Sequence, residues 1–206
     1  TMLQRSSTHI VRSDSLMEFA LGDLYSERAL AAGTTTDKAD MLFASLPYRV
    51  LPDAQIPIYE RIAEHDAGFY DQLREAGFNL DFGEDGSGLF LKYLRRGSGY
   101  YIDVGASQLI IDGRVKLKQG QVSKLTGNGA VLDDGTELDA DVIIYATGYG
   151  SMNNWLADLI SPEVADQVGK CWGYGSGTTK DPGPWEGELR NMWKPTNVDN
   201  LWIHGG

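Results

Sequence analysis

Cysteine and histidine are scarce in this chain. Cys171 is the only cysteine among 206 residues, so an internal disulfide is excluded and we expect a reducing, cytoplasmic setting. His9, His65 and His204 lie far apart in the sequence, and none of them stands at a metal-ligand spacing from Cys171. We therefore expect no metal site.

Basic residues are also in short supply. The chain has 18 lysines and arginines against 29 aspartates and glutamates, which gives a formal net charge of −11 at pH 7. Because nucleic acids and anionic membrane surfaces attract basic patches, we expect neither as a main partner. No apolar run approaches the roughly 18 residues of a membrane span, and no signal-peptide pattern opens the sequence. The apolar content of 42% is still sufficient for a globular core.

Several catalytic motifs are absent. There is no G-x-S-x-G elbow, so a serine hydrolase is not expected. The glycine-rich stretches at 83–88 and 97–105 lack the spacing or the strand-to-helix context of a G-x-G-x-x-G fingerprint, and we interpret them as turns.

The chain opens on strand-like residues and stops just after the apolar residues 201–203. We therefore expect an internal segment of a longer protein.

Helical periodicity is strongest over residues 57–76. Apolar residues recur there at helical spacing, Pro57 suits a first turn, and Gly77 follows the last residue. Further helices are predicted at 13–33, in one or two pieces, and at 37–46, 153–160 and 161–168.

Short strands dominate from residue 100 onward. Asn128-Gly129 and Asp133-Asp134-Gly135 favour hairpin turns, because Asn and Gly accept the positive φ that tight hairpins require. Strands are predicted at 100–104, 114–118, 121–126, 130–132, 136–138 and 141–146. The four between 114 and 138 alternate polar and apolar residues, which is typical of a solvated antiparallel meander. The strand predicted at 141–146 does not alternate and carries a continuous apolar run from Val142 to Ala146, which is typical of a parallel strand covered on both faces.

Two strand ends run into glycine. Residues 141–146 lead into Gly148 and Gly150, and the closing apolar run leads into Gly205-Gly206. In open α/β sheets the carboxyl ends of the strands are where nucleotides and cofactors bind. The alternative is that these glycines only terminate the strands.

Four stretches carry a resemblance to a known family. "DADVIIYATGYG" (139–150) resembles the ATG-containing strand of the flavoproteins with two dinucleotide-binding domains, above all the flavin-containing monooxygenases with their Baeyer–Villiger and YUCCA-type relatives. "MLQRSS" (2–7), "GSGYYIDVGASQLIIDGRVKL" (97–117) and "ELRNMWKPTNVDNLWIHGG" (188–206) are similar to the same family. The missing second cysteine counts against the disulfide-reductase branch of the superfamily.

The resemblance implies a fold and a division into domains. It implies an α/β chain with a partial Rossmann-type FAD/NAD(P)-binding fold, a β-meander and a helical insertion. Residues 1–145 would be the remainder of an NADPH-binding domain, with the helical insertion at about 13–95 and the β-meander at about 114–139. Residues 146–206 would be part of an FAD-binding domain.

By the same resemblance, Arg5, Ser6 and Ser7 follow the second strand of the NADPH half. The ribose 2′ position of the cofactor lies beyond the end of that strand. A guanidinium forks onto a phosphate and serine hydroxyls add donors, so these residues would hold the 2′-phosphate. A net contribution of roughly 1.5–3 kcal/mol would give on the order of tenfold to a hundredfold preference for NADPH. Arg12 is a weaker second candidate, and a solvated arginine is the alternative reading of Arg5.

The flavin contacts are also implied by the resemblance. Gly205 and Gly206 would face the flavin, with Asn191, Trp193 and Lys194 before them either lining the site or simply packing. The crossing between the two halves would be framed by Ala146, Thr147, Gly148 and Tyr149. The catalytic residues are expected outside this segment.

The implied activity is that of a flavin-dependent monooxygenase. It would use FAD, NADPH and O2 to oxygenate a small organic substrate, whose identity the segment does not reveal. Two alternatives stay open: a non-catalytic scaffold module, and an NAD(P)H-dependent flavoprotein reductase that makes no oxygenated product.

Overall fold

A computed structural model describes residues 1–148, 152–172 and 190–204. Within these ranges the chain is a mixture of helices and short strands, with the strands in three small sheets. The strands are β1 (Met2–Gln4), β2 (His9–Arg12), β3 (Tyr100–Asp103), β4 (Leu117–Gln119), β5 (Val122–Thr126), β6 (Gly129–Leu132) and β7 (Glu137–Asp139). The α-helices are α1 (Ser13–Ser15), α2 (Glu27–Ala31), α3 (Thr36–Ala44), α4 (Leu51–His65), α5 (Ala67–Glu75), α6 (Gly88–Arg96), α7 (Ala106–Ile111), α8 (Met152–Leu159) and α9 (Pro162–Val168), and Leu16–Leu21 is a π-helix.

The two N-terminal strands each pair in parallel with a strand that is distant in sequence. In one sheet β1 lies beside β4, with Met2 opposite Leu117. In another β2 lies beside β3, with Arg12 opposite Asp103 at the shared carboxyl end. The strand predicted at 114–118 is observed at Leu117–Gln119 instead, and the prediction that it belongs to the antiparallel meander is wrong. Alternation of polar and apolar residues indicates that one face of a strand is solvated. It does not indicate which strand lies beside it.

The remaining strands form the predicted meander. β5 pairs with β6 and β6 with β7, all antiparallel. The turn between β6 and β7 includes Gly135, whose φ is +83°, in the region that the Asp-Gly sequence predicted.

The apolar run at 141–146 is not the doubly covered strand that its sequence predicts. Residues 142–148 have no regular secondary structure, and the side chains of Val142 and Ile144 are 75% and 86% exposed. A continuous apolar run is buried only when other elements lie on both of its faces, and the part of the chain that the structure describes places none there. Residues 201–204 likewise form no strand, since Trp202 makes a single antiparallel bridge with Pro195.

The helix predicted over 57–76 is really two helices. α4 begins six residues earlier, at Leu51, and contains Pro57 in its interior. The break falls at Asp66, which has φ −97° and ψ 20°. Its buried carboxylate accepts a hydrogen bond from the Ser15 hydroxyl at 2.5 Å and lies 3.5 Å from the Arg12 guanidinium. These long-range partners are invisible in a local helical pattern, which is why the prediction missed the break.

Other helix predictions are confirmed in outline. The region 13–33 forms α1, the π-helix and α2, and the helix predicted at 37–46 is α3. The helices predicted at 153–160 and 161–168 are α8 and α9, and the Ser161 side chain accepts the Val164 amide at 3.3 Å as an N-cap. α6 and α7 had not been predicted as separate helices.

Three clusters of buried side chains hold these elements together. The largest joins α4, α6, α8, α9 and the segment after 190, and includes Leu91 and Met192. A second is centred on Tyr59 and Ile62 of α4, and a third on Leu73 of α5. Complete burial of a side chain such as Leu91 contributes about 2 kcal/mol. None of the helices in the ranges above combines the length and the apolarity that a bilayer crossing requires.

Candidate functional site

Arg5 and Ser6 lie at the carboxyl end of β1. Both residues are exposed, and Ser7 is partly buried. Because β1 runs parallel to β4, this is the edge of the sheet at which ligands of open α/β folds bind. The Arg5 guanidinium and the Ser6 hydroxyl are therefore accessible to an anion approaching that edge.

Asp81, an acidic residue that the sequence analysis did not select, lies near Ser7. The Ser7 hydroxyl lies close enough to the Asp81 carboxylate to lower the pKa of that group, and Asp81 binds Lys92 of α6 through both oxygens, at 2.7 and 2.6 Å. Burial acts to raise the pKa of Asp81, but hydrogen bonds from Lys92, Ser7 and the Gly83 amide, together with the positive charge of Lys92, offset it and leave the pKa below its usual range. Asp81 is thus an ionised, paired carboxylate beside the predicted phosphate-binding residues.

The main chain of Asp81 is anchored as well. Its amide donates to the carbonyl of Thr8 at 3.3 Å, and its carbonyl accepts the Nδ1–H of buried His9 at 3.0 Å. Its carboxylate also accepts the amide of Gly83 at 2.8 Å. The segment at 79–81 therefore packs as an additional strand-like element beside the β1–β2 connection.

The predicted crossing residues are only partly described. Ala146, Thr147 and Gly148 are exposed, and Gly148 has φ +80° with open space where a side chain would stand. Tyr149, Gly205 and Gly206 lie outside the described residues. Among the residues that are described, no hydrogen bond or ion pair joins 5–7 to 146–148. Within the described ranges, the structure thus shows no polar contact between the two predicted sets.

Arg12, the weaker candidate, occupies a different place from Arg5. It lies at the shared carboxyl end of β2 and β3, in a groove of about 790 Å³ whose lining does not include residues 5–7. Its guanidinium is 3.5 Å from the Asp66 carboxylate and 5.9 Å from the centre of the Phe69 ring. The Arg12 guanidinium is therefore engaged by Asp66 and Phe69 within the fold.

Two of the residues before the closing glycines, Asn191 and Trp193, make contacts within the fold. The Asn191 amide donates to the carbonyls of Val168 and Lys170 at 2.8 and 3.0 Å, which ties this segment to the end of α9. The Trp193 ring lies edge-on to Trp172, with centroids 5.8 Å apart. Burial raises the pKa of the neighbouring Cys171 thiol, so this cysteine is not an activated nucleophile.

Asp81 and Lys92 are the residues near this site that sequence reasoning missed. Nothing in "LDFGEDGSG" relates Asp81 to Ser7, because the two are far apart in the chain. The available signal was Lys92, the lone lysine of α6, which stands in the sequence between Leu91 and Leu94. Without the helix and its packing, that lysine could not be paired with an acid.

Comparison with known proteins found no matching family model. The chain is 36% identical to the probable indole-3-pyruvate monooxygenase YUCCA10 of Arabidopsis thaliana over 72 residues, which are 34% of this chain and 19% of that protein. It is 38% identical to indole-3-pyruvate monooxygenase YUCCA8 of Oryza sativa subsp. indica over 81 residues, 39% of this chain and 18% of the relative. Identity to the probable indole-3-pyruvate monooxygenase YUCCA1 of A. thaliana is 44% over 61 residues, 29% of this chain and 14% of the relative.

These matches support a YUCCA-like flavin monooxygenase family. The resemblance predicted from the sequence is therefore confirmed. The matched part of the chain corresponds to about one fifth or less of the length of each YUCCA relative. The YUCCA-like character of the segment says which family it resembles; the roles of individual residues at the β1 edge remain predictions.

Proposed function

We propose that the complete protein is a flavin-dependent monooxygenase that uses NADPH and O2 to oxygenate a small organic substrate. The observation that carries this proposal is identity of 36–45% to several indole-3-pyruvate monooxygenases. A reducing, cytoplasmic setting fits a chain of this length with one buried cysteine.

The proposed architecture is a partial Rossmann-type fold. Residues 1–145 would belong to an NADPH-binding domain and residues 146–206 to an FAD-binding domain. The parallel pairs β1–β4 and β2–β3 support the first assignment, because parallel pairing is the rule in dinucleotide-binding sheets. The apolar run at 142–145 supports a domain boundary near residue 145, because its side chains are exposed and no element within the described ranges packs over them.

NADPH is the proposed hydride donor, and the residues present fit one part of it. Arg5 and Ser6 are exposed at the end of a parallel strand, where a guanidinium and a hydroxyl can bind a ribose 2′-phosphate. Ser7 would add a donor from the partly buried side when its hydroxyl turns from the Asp81 carboxylate to the phosphate. No acid lies at positions 5–8, and the nearby Asp81 is neutralised by Lys92.

FAD is the proposed prosthetic group. Ala146, Thr147 and Gly148 would let the backbone approach it closely, because the positive φ of Gly148 and the space beside it leave room for a ligand. Tyr149, Gly205 and Gly206 are proposed as further contacts on the resemblance alone. A bound flavin would supply the electron transfer and the activation of O2, while these residues would orient it and exclude water.

The test is an assay of the complete protein. We expect it to purify with a yellow chromophore, and to oxidise NADPH with stoichiometric formation of an oxygenated product. Indole-3-pyruvate, named in the relatives' descriptions, is the first substrate to try in a panel of small organic acids, amines and ketones. NADPH oxidation that yields peroxide with every substrate would identify a flavoprotein reductase, and the lack of any bound flavin would favour the scaffold module.

A further inference from the structure

We propose that the Asp81–Lys92 pair determines how strongly the Arg5–Ser7 segment discriminates between cofactors with and without a 2′-phosphate. This inference rests on the proposed function, because it concerns the same nicotinamide-cofactor site. Lys92 acts as a positioning residue that neutralises Asp81, and Asp81 acts as the specificity-determining charge. Neither residue is expected to touch the reacting atoms.

The first support is the position of Asp81 next to the proposed site. The connection between β1 and β2 is held from one side by residues 79–81. The Gln4 side chain exchanges two hydrogen bonds of 2.9 Å with the main chain of Asn79, and the Thr8 amide donates to the carbonyl of Asn79 at 3.0 Å. The contact between the Asp81 amide and Thr8 continues this pairing. Backbone hydrogen bonds to Thr8, the residue after Ser7, therefore hold Asp81 next to the Arg5–Ser7 segment.

The second support is the geometry and burial of the ion pair. Lys92 binds both Asp81 oxygens, and the Lys92 and Asp81 side chains are only 11% and 23% exposed. Gly99 lies against the Lys92 stem, since a Cβ there would be 3.2 Å from Cε. The ammonium therefore has little freedom to move away from the carboxylate. Such shielded charges interact more strongly than exposed ones, because solvent screens them less.

The third support is the charge balance. Arg5 carries one positive charge, and the negative charge of Asp81 is balanced by the positive charge of Lys92. A bound 2′-phosphate would add close to two negative charges at this edge, by analogy with other phosphate monoesters. Its binding is therefore sensitive to any change in the Asp81–Lys92 balance. A cofactor with a neutral 2′-hydroxyl is far less sensitive.

These relations give opposite effects for the two partners. Asp81→Asn leaves Lys92 as an uncompensated cation beside Ser7, and we expect tighter binding of a 2′-phosphate by about threefold to tenfold at low ionic strength. Lys92→Met leaves Asp81 as an uncompensated anion, and we expect weaker binding by a similar factor. The double variant Asp81→Asn/Lys92→Met should return close to the unmodified protein. A gain of affinity in the first variant is not a result that structural damage would produce.

The experiment is calorimetric titration of the complete protein with adenosine 2′,5′-bisphosphate and, separately, with adenosine 5′-monophosphate. The two probes share the adenosine and differ at the 2′ position. The expected shifts appear with the bisphosphate only. The matched control is Asp85→Asn, which removes the same charge from the same loop, where Asp85 pairs with Arg95 at 2.7 Å. It should change bisphosphate affinity by less than about twofold, since the described partners of Asp85 are Ser87 and Arg95 rather than residues of the 4–8 segment.

The outcomes separate this inference from the proposed function. If the unmodified protein binds both probes equally and Arg5→Ala changes neither, the proposed NADPH site itself is wrong. If the protein prefers the bisphosphate and loses that preference with Arg5→Ala, the site stands. In that case, equal responses to Asp81→Asn and Asp85→Asn, or no response to Asp81→Asn, would overturn the role of the Asp81–Lys92 pair alone. Unfolding midpoints of all variants identify any loss of affinity that comes from misfolding.

Discussion

His9 is completely buried between two aromatic rings. Its ring centroid lies 5.1 Å from that of Tyr59 and 5.3 Å from that of Phe82, both edge-on. Nδ1 donates to the Asp81 carbonyl, whereas Nε2 has no hydrogen-bond partner. Burial lowers the pKa of His9 from 6.5 to about 4, although the hydrogen bond to Asp81 opposes this shift. The neutral ring is therefore the form that the folded protein accommodates.

This burial predicts an acid-dependent loss of stability. The unfolded chain takes up a proton on His9 near pH 6.5, but the folded chain does so only near pH 4. The stabilisation is thus complete above pH 6.5 and is lost as the pH falls from 6.5 towards 4, with a total of about 3 kcal/mol. Urea unfolding of the protein and of His9→Phe across this range measures it. We expect the free energy of unfolding to fall less steeply in His9→Phe.

The control for this prediction is His65→Gln, because His65 is exposed. It should leave the pH dependence of unfolding close to that of the unmodified protein. Parallel pH profiles for His9→Phe and the unmodified protein would show that His9 does not titrate with a lowered pKa.

Arg5 is the residue on which the proposed cofactor preference depends. We expect Arg5→Ala to raise the Michaelis constant of the complete protein for NADPH by on the order of tenfold or more, because a charge-assisted contact with the phosphate is lost. The Michaelis constant for NADH should change little. Measured initial rates with both cofactors test this, and equal changes for NADPH and NADH would remove the proposed role. Arg49→Ala provides a comparison at another exposed arginine.

At the level of elements, the start of α6 depends on a close approach between Gly88 and Tyr59. Gly88 is buried with φ +70°, and a Cβ at this position would collide with the Tyr59 ring. Tyr59 belongs to α4, so this contact sets how closely α4 and α6 pack. The positive φ and the lack of space both require glycine here.

We expect Gly88→Ala to destabilise the fold by roughly 3 kcal/mol or more, through backbone strain and overpacking together. Gly86→Ala is the matched control, because Gly86 also has a positive φ, +81°, but has open space around it. It should cost only the strain, about 1–2 kcal/mol. Denaturant unfolding of the two variants gives both values, and equal losses would mean that Tyr59 moves aside without cost.

At the level of the whole molecule, the apolar residues are distributed unevenly. The helices bury Tyr59, Tyr70 and Leu73 almost completely, whereas the run that follows the β-meander leaves Tyr145 67% exposed. The 142–145 stretch is thus apolar in sequence but exposed to solvent in the structure. Its exposure makes it accessible to proteases, because an extended segment without hydrogen-bonded neighbours fits a protease cleft.

Brief chymotrypsin treatment of the 206-residue chain should therefore cut after Tyr145 before it cuts after the buried Tyr59 or Tyr70. Mass spectrometry of the first fragments identifies the site, and Tyr145→Ser should delay the first cut. Resistance of Tyr145 would show that the run is covered in solution. The same digestion of the complete protein measures whether other parts of the protein cover it.

Several features followed from the sequence because they depend on neighbouring residues. The N-cap role of Ser161, the Gly135 turn and the strands of the meander are set by local backbone preference and hydrogen bonding. The periodicity of α3, α8 and α9 likewise reflects a local pattern of burial. The position of Arg5 and Ser6 after a short strand was also correct, because a strand end is a local property.

Other features were decided only by tertiary structure, because they join residues distant in the chain. The parallel pairing of β1 with β4, the break at Asp66 and the Asp81–Lys92 pair all need partners that no local pattern identifies. The run at 141–146 also depends on distant residues. Its apolar character is visible in the sequence, but whether it is buried depends on which elements pack against it. Local sequence thus determined where the backbone turns and coils, and long-range contacts determined which charges and surfaces meet.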